Sequence, residues 1–324
     1  MRRASKFRRF AFFSLLLVAC GSRTGLFGED LGGFATLDAS VDARADLDSS
    51  FEDARSTLDE RSPVDVFRDD CPDAEATLVY TITDDYELQS YNPDTGQFRD
   101  IGRIACPAGS LPRGKNSPFS MAVDRRGAAF VLFRDERLYR VSTANAACIA
   151  TSYRPRQSNF GLFGMGFATN SIGPTEALYI AGDDNQQGGP AAASGLARLT
   201  PGTFALTPVG DFSPAIDQAE LTGTGDGRLY AFYKKGNPPD SPPSYIGEVD
   251  TATGRVIGER RFDTVDQGSG WAFAYWGGAF YMFHAPGGTT RITRWRPSDD
   301  SVTQVGTSTR RIVGAGVSTC APQQ

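Results

Sequence analysis

The sequence contains a single histidine, His284, among its 324 residues. One imidazole cannot build the multi-histidine sites of copper proteins or of most catalytic zinc proteins. A Ser-His-Asp triad needs only one histidine, but the chain has no G-x-S-x-G turn that would present a serine. We therefore expect His284 to be structural or exposed, and these absences argue against the commonest hydrolytic and metal-dependent chemistries.

Long apolar segments are missing as well. No apolar run reaches the roughly 20 residues that span a bilayer, and no stretch shows sustained helical periodicity. The short run AFFSLLLVA follows MRRASKFRRF, which carries five basic residues and no acidic one. A basic segment before a short apolar run is typical of an export signal, so we assign residues 1–19 to a signal peptide.

The apolar run ends in Leu17, Val18, Ala19, Cys20 and Gly21, which resembles the lipobox of bacterial lipoproteins. The resemblance implies cleavage before Cys20 and acylation of its thiol and of the new amino group. Several acyl chains anchor a protein stably where a single chain is marginal. It thus implies an exported protein with a lipid anchor in the cell envelope, which we expect at the outer membrane, on its periplasmic side or at the cell surface. A plain signal peptide followed by an unrelated cysteine is the alternative.

Residues 20–70 are rich in acidic side chains. From residue 21 to residue 70 there are 13 Asp or Glu against 5 Arg. Self-repulsion and low aromatic content favour an extended, disordered tether, with one amphipathic helix around Leu47–Leu58 as the alternative. Neither form is a basic patch, so the sequence predicts no nucleic-acid partner.

Residues 71–324 are long enough for one large all-β domain, and they contain a repeat. A small-residue strand, a turn ending in glycine and an aromatic strand recur in FSMAVDRRGAAFVLF, AELTGTGDGRLYAFY and GWAFAYWGGAFYMF. FGMGFATNSIGPTEALYIAG fits with a longer turn. Two further strands around a polar turn follow each copy. Units of four antiparallel strands in about 40 to 55 residues are typical of β-propeller blades.

A fifth copy is divided between the two ends of this domain. TLVYTITDD and LQSYNPDTGQFRDIGRI match the second, third and fourth strands, but no small-residue strand precedes them. The missing strand is GAGVST, residues 314–319, which aligns with GMGFAT, residues 164–169. The sequence therefore predicts a five-bladed β-propeller in which the C-terminal strand completes the first blade and closes the ring.

Five cysteines are present. With Cys20 assigned to lipid, four remain, and an even number in an exported protein is typical of disulfides. Ring closure brings Cys71, before the second strand of the first blade, close to Cys320, after its first strand. Cys106 and Cys148 adjoin the outer strands of the first two blades, so we predict the pairs Cys71–Cys320 and Cys106–Cys148. A zinc site of all four is the alternative, although no two have the close spacing of zinc motifs.

The alignment also predicts which residues of the innermost strands lie near the axis. One position holds Ala122, Gly166, Thr222, Phe273 and Gly316, and the position two residues earlier holds Ser120, Gly164, Glu220, Trp271 and Gly314. Small residues suit the close approach of backbones. Glu220 is the only acid in these positions, and we expect it on the rim, solvated or hydrogen-bonded. We take Glu220 and Trp271 as candidate binding residues.

Two segments, from different blades, also resemble known propeller families. The segment MAVDRRGAAFVLFRDERLYRVS resembles the repeats of NHL and gluconolactonase-like propellers, and WGGAFYMF resembles a kelch double glycine. Each resemblance covers one blade of five. Because propellers host many functions, it implies an architecture and no particular activity.

Two classes of function remain. Glycoside hydrolysis needs two carboxylates that face one bond, and Glu220 is alone in its position. We therefore expect a non-catalytic, monomeric module without a cofactor, which binds a protein or glycan of the cell envelope. The alternative is a lactonase-like or glycan-cleaving enzyme, with or without a metal held by Glu220, Asn170 or Asp226.

Calcium is a further alternative in the segment AGDDNQQGG. Asp183, Asp184 and Asn185 offer the oxygen ligands that a hard cation prefers, but their spacing is not that of an EF-hand. The same residues favour an ordinary turn, which we expect here.

Overall fold

The structure is a computed structural model that describes residues 78–107, 116–170, 175–182, 194–236 and 242–324. The predicted signal peptide (1–19) and tether (20–70) lie outside the described residues. In the described part the chain forms twenty β-strands and one short 3-10 helix, Gln157–Asn159. The strands are β1 (Val79–Thr83), β2 (Glu87–Asn92), β3 (Gln97–Arg103), β4 (Pro118–Val123), β5 (Ala128–Phe133), β6 (Leu138–Ser142), β7 (Cys148–Ala150), β8 (Phe163–Thr169), β9 (Glu176–Gly182), β10 (Leu196–Leu199), β11 (Leu206–Gly210), β12 (Asp217–Gly223), β13 (Leu229–Lys234), β14 (Ser244–Val249), β15 (Val256–Phe262), β16 (Trp271–Trp276), β17 (Ala279–His284), β18 (Thr290–Arg296), β19 (Ser301–Ser308) and β20 (Ile312–Val317). No described helix has the length and apolar character that a membrane crossing requires.

The strands form five antiparallel sheets of four strands each, as predicted. Blade 1 has the order β20-β1-β2-β3, and blades 2 to 5 are β4 to β7, β8 to β11, β12 to β15 and β16 to β19. In each blade the first strand is mostly buried, whereas the fourth is exposed or half-buried along most of its length. This radial gradient of burial follows from the propeller, in which first strands surround the axis and fourth strands form the outside.

The C-terminal strand closes the ring, which confirms the prediction from the divided repeat. β20 pairs with β1, with Gly316 opposite Tyr80 and Gly314 opposite Ile82. Blades 5 and 1 then pack through aromatic side chains, because the ring of Tyr91 meets that of Phe283 edge to face at 5.6 Å. The innermost strand of blade 1 thus comes from the other end of the domain, and blade 1 has four strands like the other blades.

The two faces of the propeller differ in their connections. All five inner strands run in the same direction along the axis, from what we name the upper face to the lower face. The longest connections, among them residues 104–117 and 183–195, join strand ends at the upper face. At the lower face most strands are joined by short turns, and the chain leaves β20 there as the segment Ser318–Gln324.

A separate apolar cluster fills each interface between neighbouring blades. The cluster between blades 4 and 5 is the most aromatic. It includes Phe232 of blade 4, which lies 5.7 Å from Phe273 of blade 5 between ring centroids. Such flat side chains fill the wedge between two twisted sheets with little loss of conformational freedom. The core is therefore distributed around the ring.

The pair Cys106–Cys148 is a disulfide, as predicted. It ties the segment after β3, in blade 1, to the outer strand β7 of blade 2. Cys320 is also disulfide-bonded. Its predicted partner, Cys71, lies outside the described residues, as does the proposed lipidation site Cys20, so that pairing stays a prediction.

Candidate functional site

The inner strands approach each other closely at the axis. A Cβ atom on Gly164 would lie 2.0 Å from the carbonyl oxygen of Ala219, and one on Gly314 would lie 2.8 Å from the backbone nitrogen of Met121. Neither distance is compatible with a real side chain. The expectation that small residues allow close backbone approach is confirmed at these positions.

The predicted alignment is wrong for blade 5. In blade 2 the inner residue Ala122 pairs with Phe130, which packs against the next blade around the ring. The pair in blade 5 that packs against its next blade is Ala274 with Tyr281. Eight positions separate the first pair and seven the second, so the hairpin of blade 5 is one residue shorter.

This difference changes the residues near the axis. The turn of the blade 5 hairpin is Gly277–Gly278, both with positive φ, which is typical of a two-residue hairpin turn. When the blade 5 sequence is aligned with the other blades on the glycines of this turn, its first strand is shifted by one residue. A shift of one residue exchanges the two faces of a strand. Ala272 and Ala274 therefore occupy the axial positions to which Trp271 and Phe273 were assigned. Trp271 is not in the column of Glu220.

We expected Glu220 on the rim, solvated or hydrogen-bonded, but it lies inside the ring. Its side chain is 2% exposed. Ser120 Oγ donates a hydrogen bond of 2.8 Å to Glu220 Oε2, and the backbone N–H of Met165 donates another to the same carboxyl group. Burial raises the pKa of Glu220 well above that of an ordinary glutamate, against the opposing effect of these two bonds. Burial thus favours the protonated form of this carboxyl group, which is held by three inner strands.

Trp271 begins β16 at the upper face and lies opposite His284 of β17. Its indole packs against the aromatic cluster between blades 4 and 5. The Nε1 atom is buried and has no hydrogen-bond partner among the described residues. An indole N–H that is neither hydrated nor paired costs free energy, so this donor is poised for an acceptor that the described chain does not supply.

Gln267, in the connection before β16, has a buried acceptor atom without a hydrogen-bond partner among the described residues. The side chain is 0% exposed. Its Nε2 donates long hydrogen bonds to the carbonyl oxygens of Gln218 (3.3 Å) and Phe232 (3.4 Å), whereas Oε1 has no partner among the residues described. Gln218 has a positive φ of 52° at the bulge in β12. A distorted strand end and a buried acceptor thus meet at the upper end of blade 4.

Three further polar side chains lie near Trp271 and Gln267 at the upper face: Lys234, Asp266 and His284. Lys234 is buried, and its Nζ lies 3.8 Å from Asp266 Oδ1. Burial lowers the pKa of Lys234, while the nearby Asp266 carboxylate opposes that effect. The sequence analysis missed Lys234, Asp266 and Gln267. The only signal was the polar connection DTVDQGSG directly before an inner strand. We name Lys234, Asp266, Gln267, Trp271 and His284 the upper polar cluster.

His284 is structural within this cluster. Its Nδ1 lies 2.9 Å from the carbonyl oxygen of Asp266, and its Nε2 lies 3.0 Å from Thr293 Oγ1. Burial lowers the pKa of His284 below the usual value. A neutral imidazole with both nitrogens engaged holds the connection onto blade 5 and is not available as a base.

The lower end of the axis is covered by the C-terminal segment. Gly277 N–H donates to the carbonyl oxygen of Pro322 at 2.8 Å, and the Tyr275 hydroxyl donates to that of Gln323 at 3.1 Å. Gln323 Oε1 also accepts a hydrogen bond from Gly225 N–H. One short segment therefore bridges the turns of blades 4 and 5.

Glu176 connects the same segment to blades 2 and 3. One of its carboxylate oxygens accepts the Arg125 N–H at 2.8 Å, and the other accepts the Thr319 hydroxyl at 2.9 Å. Burial raises the pKa of Glu176 to about 7, in spite of these two bonds. This latch was not predicted, because the partners are 51 and 143 positions from Glu176 in the chain.

The residues proposed for metal catalysis are not brought together. Asn170 and Asp226 line one cleft at the lower face, and Glu220 is not among its lining residues. Among the described residues, no three His, Cys, Asp or Glu side chains are grouped as metal ligands. Asp183, Asp184 and Asn185, the alternative calcium ligands, lie outside the described residues.

Comparison with known proteins does not assign the chain to a family. No protein-family model matches the chain, and no curated protein matches it. Among solved structures, similar chains include one from the nidogen/laminin complex (8% identity, TM-score 0.44, covering 74% of this chain and 97% of that one). Others are the PQQ-bound aldose sugar dehydrogenase of Streptomyces coelicolor (13%, 0.42, 76% and 82%) and the Dos1 propeller (12%, 0.38, 71% and 56%). At these identities the similarity concerns the fold alone.

Proposed function

We propose that this protein is an exported lipoprotein whose propeller binds a protein or glycan of the cell envelope on its upper face, without catalysis. The lipobox-like sequence that ends in Cys20 supports a lipid anchor, most simply in the outer membrane. The acidic segment 20–70 would act as a tether for the domain 71–324. Its charge and composition suit a chain that gives the propeller reach from the membrane.

One observation carries the choice of the upper face. Trp271 Nε1 and Gln267 Oε1 are a buried donor and a buried acceptor without partners among the described residues, and both belong to the upper polar cluster. Buried polar groups in folded proteins are nearly always hydrogen-bonded. Because both atoms are closed off in the described chain, a partner would have to shift the connection before β16 to supply an acceptor to Trp271 and a donor to Gln267, and we propose that binding does so.

The lower face suits a large partner less well near the axis. The segment Ser318–Gln324 already lies across the turns of blades 4 and 5 there, and Glu176 holds it to blade 3. A macromolecule at that position would have to displace these hydrogen bonds.

Variants of Trp271 test this assignment. The full chain, purified in detergent, would be presented to a glycan array and to separated envelope proteins. We expect Trp271→Phe, which keeps an aromatic ring but removes the N–H, to weaken the captured partner about tenfold, the equivalent of one hydrogen bond in a desolvated site. Trp295→Phe is the matched control, because Trp295 Nε1 donates to Asp300 on the exposed surface.

Unchanged binding in Trp271→Phe and in Gln267→Leu would place the partner elsewhere. Equal loss in Trp271→Phe and Trp295→Phe would indicate a general effect of tryptophan loss. Melting curves of each variant separate a binding defect from unfolding.

The lipid anchor is tested independently. Cys20→Ser removes the thiol that the lipobox resemblance assigns to acylation. We expect the wild-type chain to partition into detergent and the variant to stay unprocessed or to be released. A wild-type chain that is soluble and carries no lipid would remove the membrane from its partners.

An enzyme is the second candidate, and one observation favours it. Glu220 is a carboxyl group whose pKa burial raises, which is the property of a general acid. Its burial leaves no room for a substrate, and Asn170 and Asp226 lie at another place. Screening the full chain on lactones and aryl glycosides, with and without Ca²⁺, decides between the two. Turnover that disappears in Glu220→Gln would favour the enzyme.

A further inference from the structure

A second polar site lies at the lower end of the interface between blades 3 and 4. It is a cleft of about 580 Å³. Its polar lining includes Asn170, Tyr179, Arg198, Asp226 and Thr251, and we name it the lower cleft. The volume lies in the range that small-molecule sites occupy. The upper polar cluster shares no residue with it.

Tyr179 is the most buried of these side chains. It is 5% exposed, and its ring belongs to the apolar cluster between blades 3 and 4. The side chain nevertheless reaches the cleft, and the hydroxyl makes no hydrogen bond to any described residue. The hydroxyl is not closed off from solvent, and the buried ring holds it in a fixed position at the cleft.

Arg198 lies beside Tyr179 on the neighbouring strand of the same blade. Its guanidinium is exposed and, within the described part of the chain, forms neither an ion pair nor a hydrogen bond. The Asn170 amide and the Thr251 hydroxyl, from two other elements of the lining, are equally without side-chain partners there. Four side chains from four elements thus line one cavity, and most of their polar groups can donate hydrogen bonds.

The acidic side chains around the cleft already have hydrogen-bond or ion-pair partners. Arg228 forms an ion pair with Asp226 at 3.0 Å, and Thr224 donates a further hydrogen bond to the same carboxylate. Burial tends to raise the pKa of Asp226, but these bonds outweigh it and keep the pKa below the usual value. Asp250, next to the lining turn, accepts the N–H of Ala252. Arg198 is the lining charge without compensation among the described residues.

We propose that the lower cleft binds an acidic sugar unit, a ring that carries both hydroxyl groups and one carboxylate. Arg198 presents a planar fork of donors that matches a carboxylate, and the Tyr179 hydroxyl lies next to it to donate a further bond. The Asn170 amide, the Thr251 hydroxyl and the free lone pairs of Asp226 face the ring hydroxyls. This site is separate from the partner site on the upper face and does not depend on it.

Other small anions fit the lining less well. A phosphate carries more charge than one arginine compensates, and it presents none of the ring hydroxyls that Asn170 and Thr251 would bind. A neutral sugar would leave the Arg198 guanidinium unused. A simple carboxylate such as acetate would use Arg198 and Tyr179 but would offer no hydroxyl groups to Asn170, Thr251 and Asp226.

Titration of the full chain in detergent with defined probes tests this assignment. The probes are glucuronic acid and galacturonic acid, with glucose, galactose, acetate and inorganic phosphate as comparisons, followed by calorimetry or NMR. We expect binding of the sugar acids in the millimolar range and at least tenfold weaker binding of the neutral sugars, of acetate and of phosphate. A charge-assisted pair accounts for a difference of this size.

Two variants and one control locate the site. Arg198→Gln should weaken the sugar acids about tenfold or more, because it removes the charge, and Tyr179→Phe should weaken them about threefold to tenfold. Arg99→Gln removes an exposed strand arginine of blade 1 and should change nothing. Equal melting temperatures would show that the variants fold. An oligogalacturonate that binds more tightly than the monomer would indicate a polymer as the natural source, and equal affinity a free sugar acid.

Some results would overturn the assignment. Equal binding of glucose and glucuronic acid would mean that Arg198 does not read a carboxylate. Phosphate that binds more tightly than the sugar acids would indicate a simple anion site. Loss of binding in Arg99→Gln, or no binding of any probe in the millimolar range, would leave the lower cleft as a hydrated groove between blades.

Discussion

Ser120 and Glu220 are hydrogen-bonded at 2.8 Å across the axis of the propeller, although 100 positions separate them in the chain. Ser120 belongs to blade 2 and Glu220 to blade 4, and Met165 of blade 3 donates its N–H to the same carboxyl group. The other residues at this level of the inner strands are small. One carboxyl group, whose protonated form burial favours, therefore fills the space that they leave and joins three blades.

The hydrogen bonds and burial of Glu220 predict how its substitution changes the free energy of unfolding. Glu220→Gln keeps the size of the side chain, and its amide can accept the Met165 N–H while it donates to Ser120 Oγ. We expect a change below about 1 kcal/mol near pH 5 in the free energy of unfolding. Glu220→Ala leaves Met165 N–H and the Ser120 hydroxyl without a partner and opens a cavity. It should cost about 3 kcal/mol or more. Urea denaturation of both variants measures this.

The wild type and Glu220→Gln should also differ in how their stability depends on pH. Between the ordinary pKa of 4.5 and its raised pKa, Glu220 is ionised in the unfolded chain and protonated in the folded one. The folded state then binds more protons, so the wild type loses stability as the pH rises above about 4.5. Glu220→Gln should escape this loss, and its stability relative to the wild type should increase from pH 5 to pH 8. A constant difference would mean that Glu220 is ionised in the folded protein.

Gly164 tests the close packing of the inner strands. An alanine Cβ there would collide with the backbone of β12, which cannot move without disturbing Glu220. We expect Gly164→Ala to destabilise the domain by about 3 kcal/mol, as overpacking of rigid cores does. Gly287→Ala is the matched control, because a Cβ at Gly287 would meet nothing within 4 Å. If both variants melt at the wild-type temperature, the inner strands are less tightly packed than the structure indicates.

The number of blades and the closing strand could be predicted because they depend on local chemistry. Each blade needs a small inner strand, a turn and an aromatic second strand, and these features repeat in the sequence. Gly314 and Gly164 occupy equivalent inner positions for the same reason, since each faces the backbone of a neighbouring strand. The pair Cys106–Cys148 followed from the positions of the outer strands once the blades were aligned.

The candidate site was predicted less well, because it depends on one-residue details and on distant contacts. The turn Gly277–Gly278 is one residue shorter than its counterparts, which moved Trp271 to the opposite face of β16. The burial of Glu220 could not be inferred, because an isolated acid is usually solvated and its partner Ser120 is distant in sequence. The bulge that places Gln218 beside Gln267 leaves no pattern in the sequence either.

Glu176 predicts a second pH effect, at the lower face. Its pKa of about 7 exceeds the ordinary value of 4.5, so the folded state holds an extra proton between these values. Stability should therefore decline as the pH rises from about 4.5 to about 7. Glu176→Gln should remove that part of the decline. Denaturation of wild type and variant at pH 5, 6, 7 and 8 isolates it, since Glu220 contributes equally to both. A decline that Glu176→Gln leaves unchanged would assign it to other groups.

Deletion of residues 314–324 tests the closure of the ring. It removes most of β20, which pairs with β1 and packs between the inner strands of blades 2 and 5. β1 would then present an unpaired edge at the axis.

We expect the deletion to abolish the single cooperative melting transition, because the ring opens between blades 5 and 1 and both adjoining apolar clusters are exposed. Two milder variants separate the causes. Removal of residues 323–324 loses the contacts of Gln323 with Gly225 and Tyr275 and should cost about 1–3 kcal/mol. Cys320→Ser removes a disulfide but keeps β20, and should lower the melting temperature with cooperativity intact. A deletion that melted like Cys320→Ser would show that pairing of β20 with β1 is dispensable for the ring.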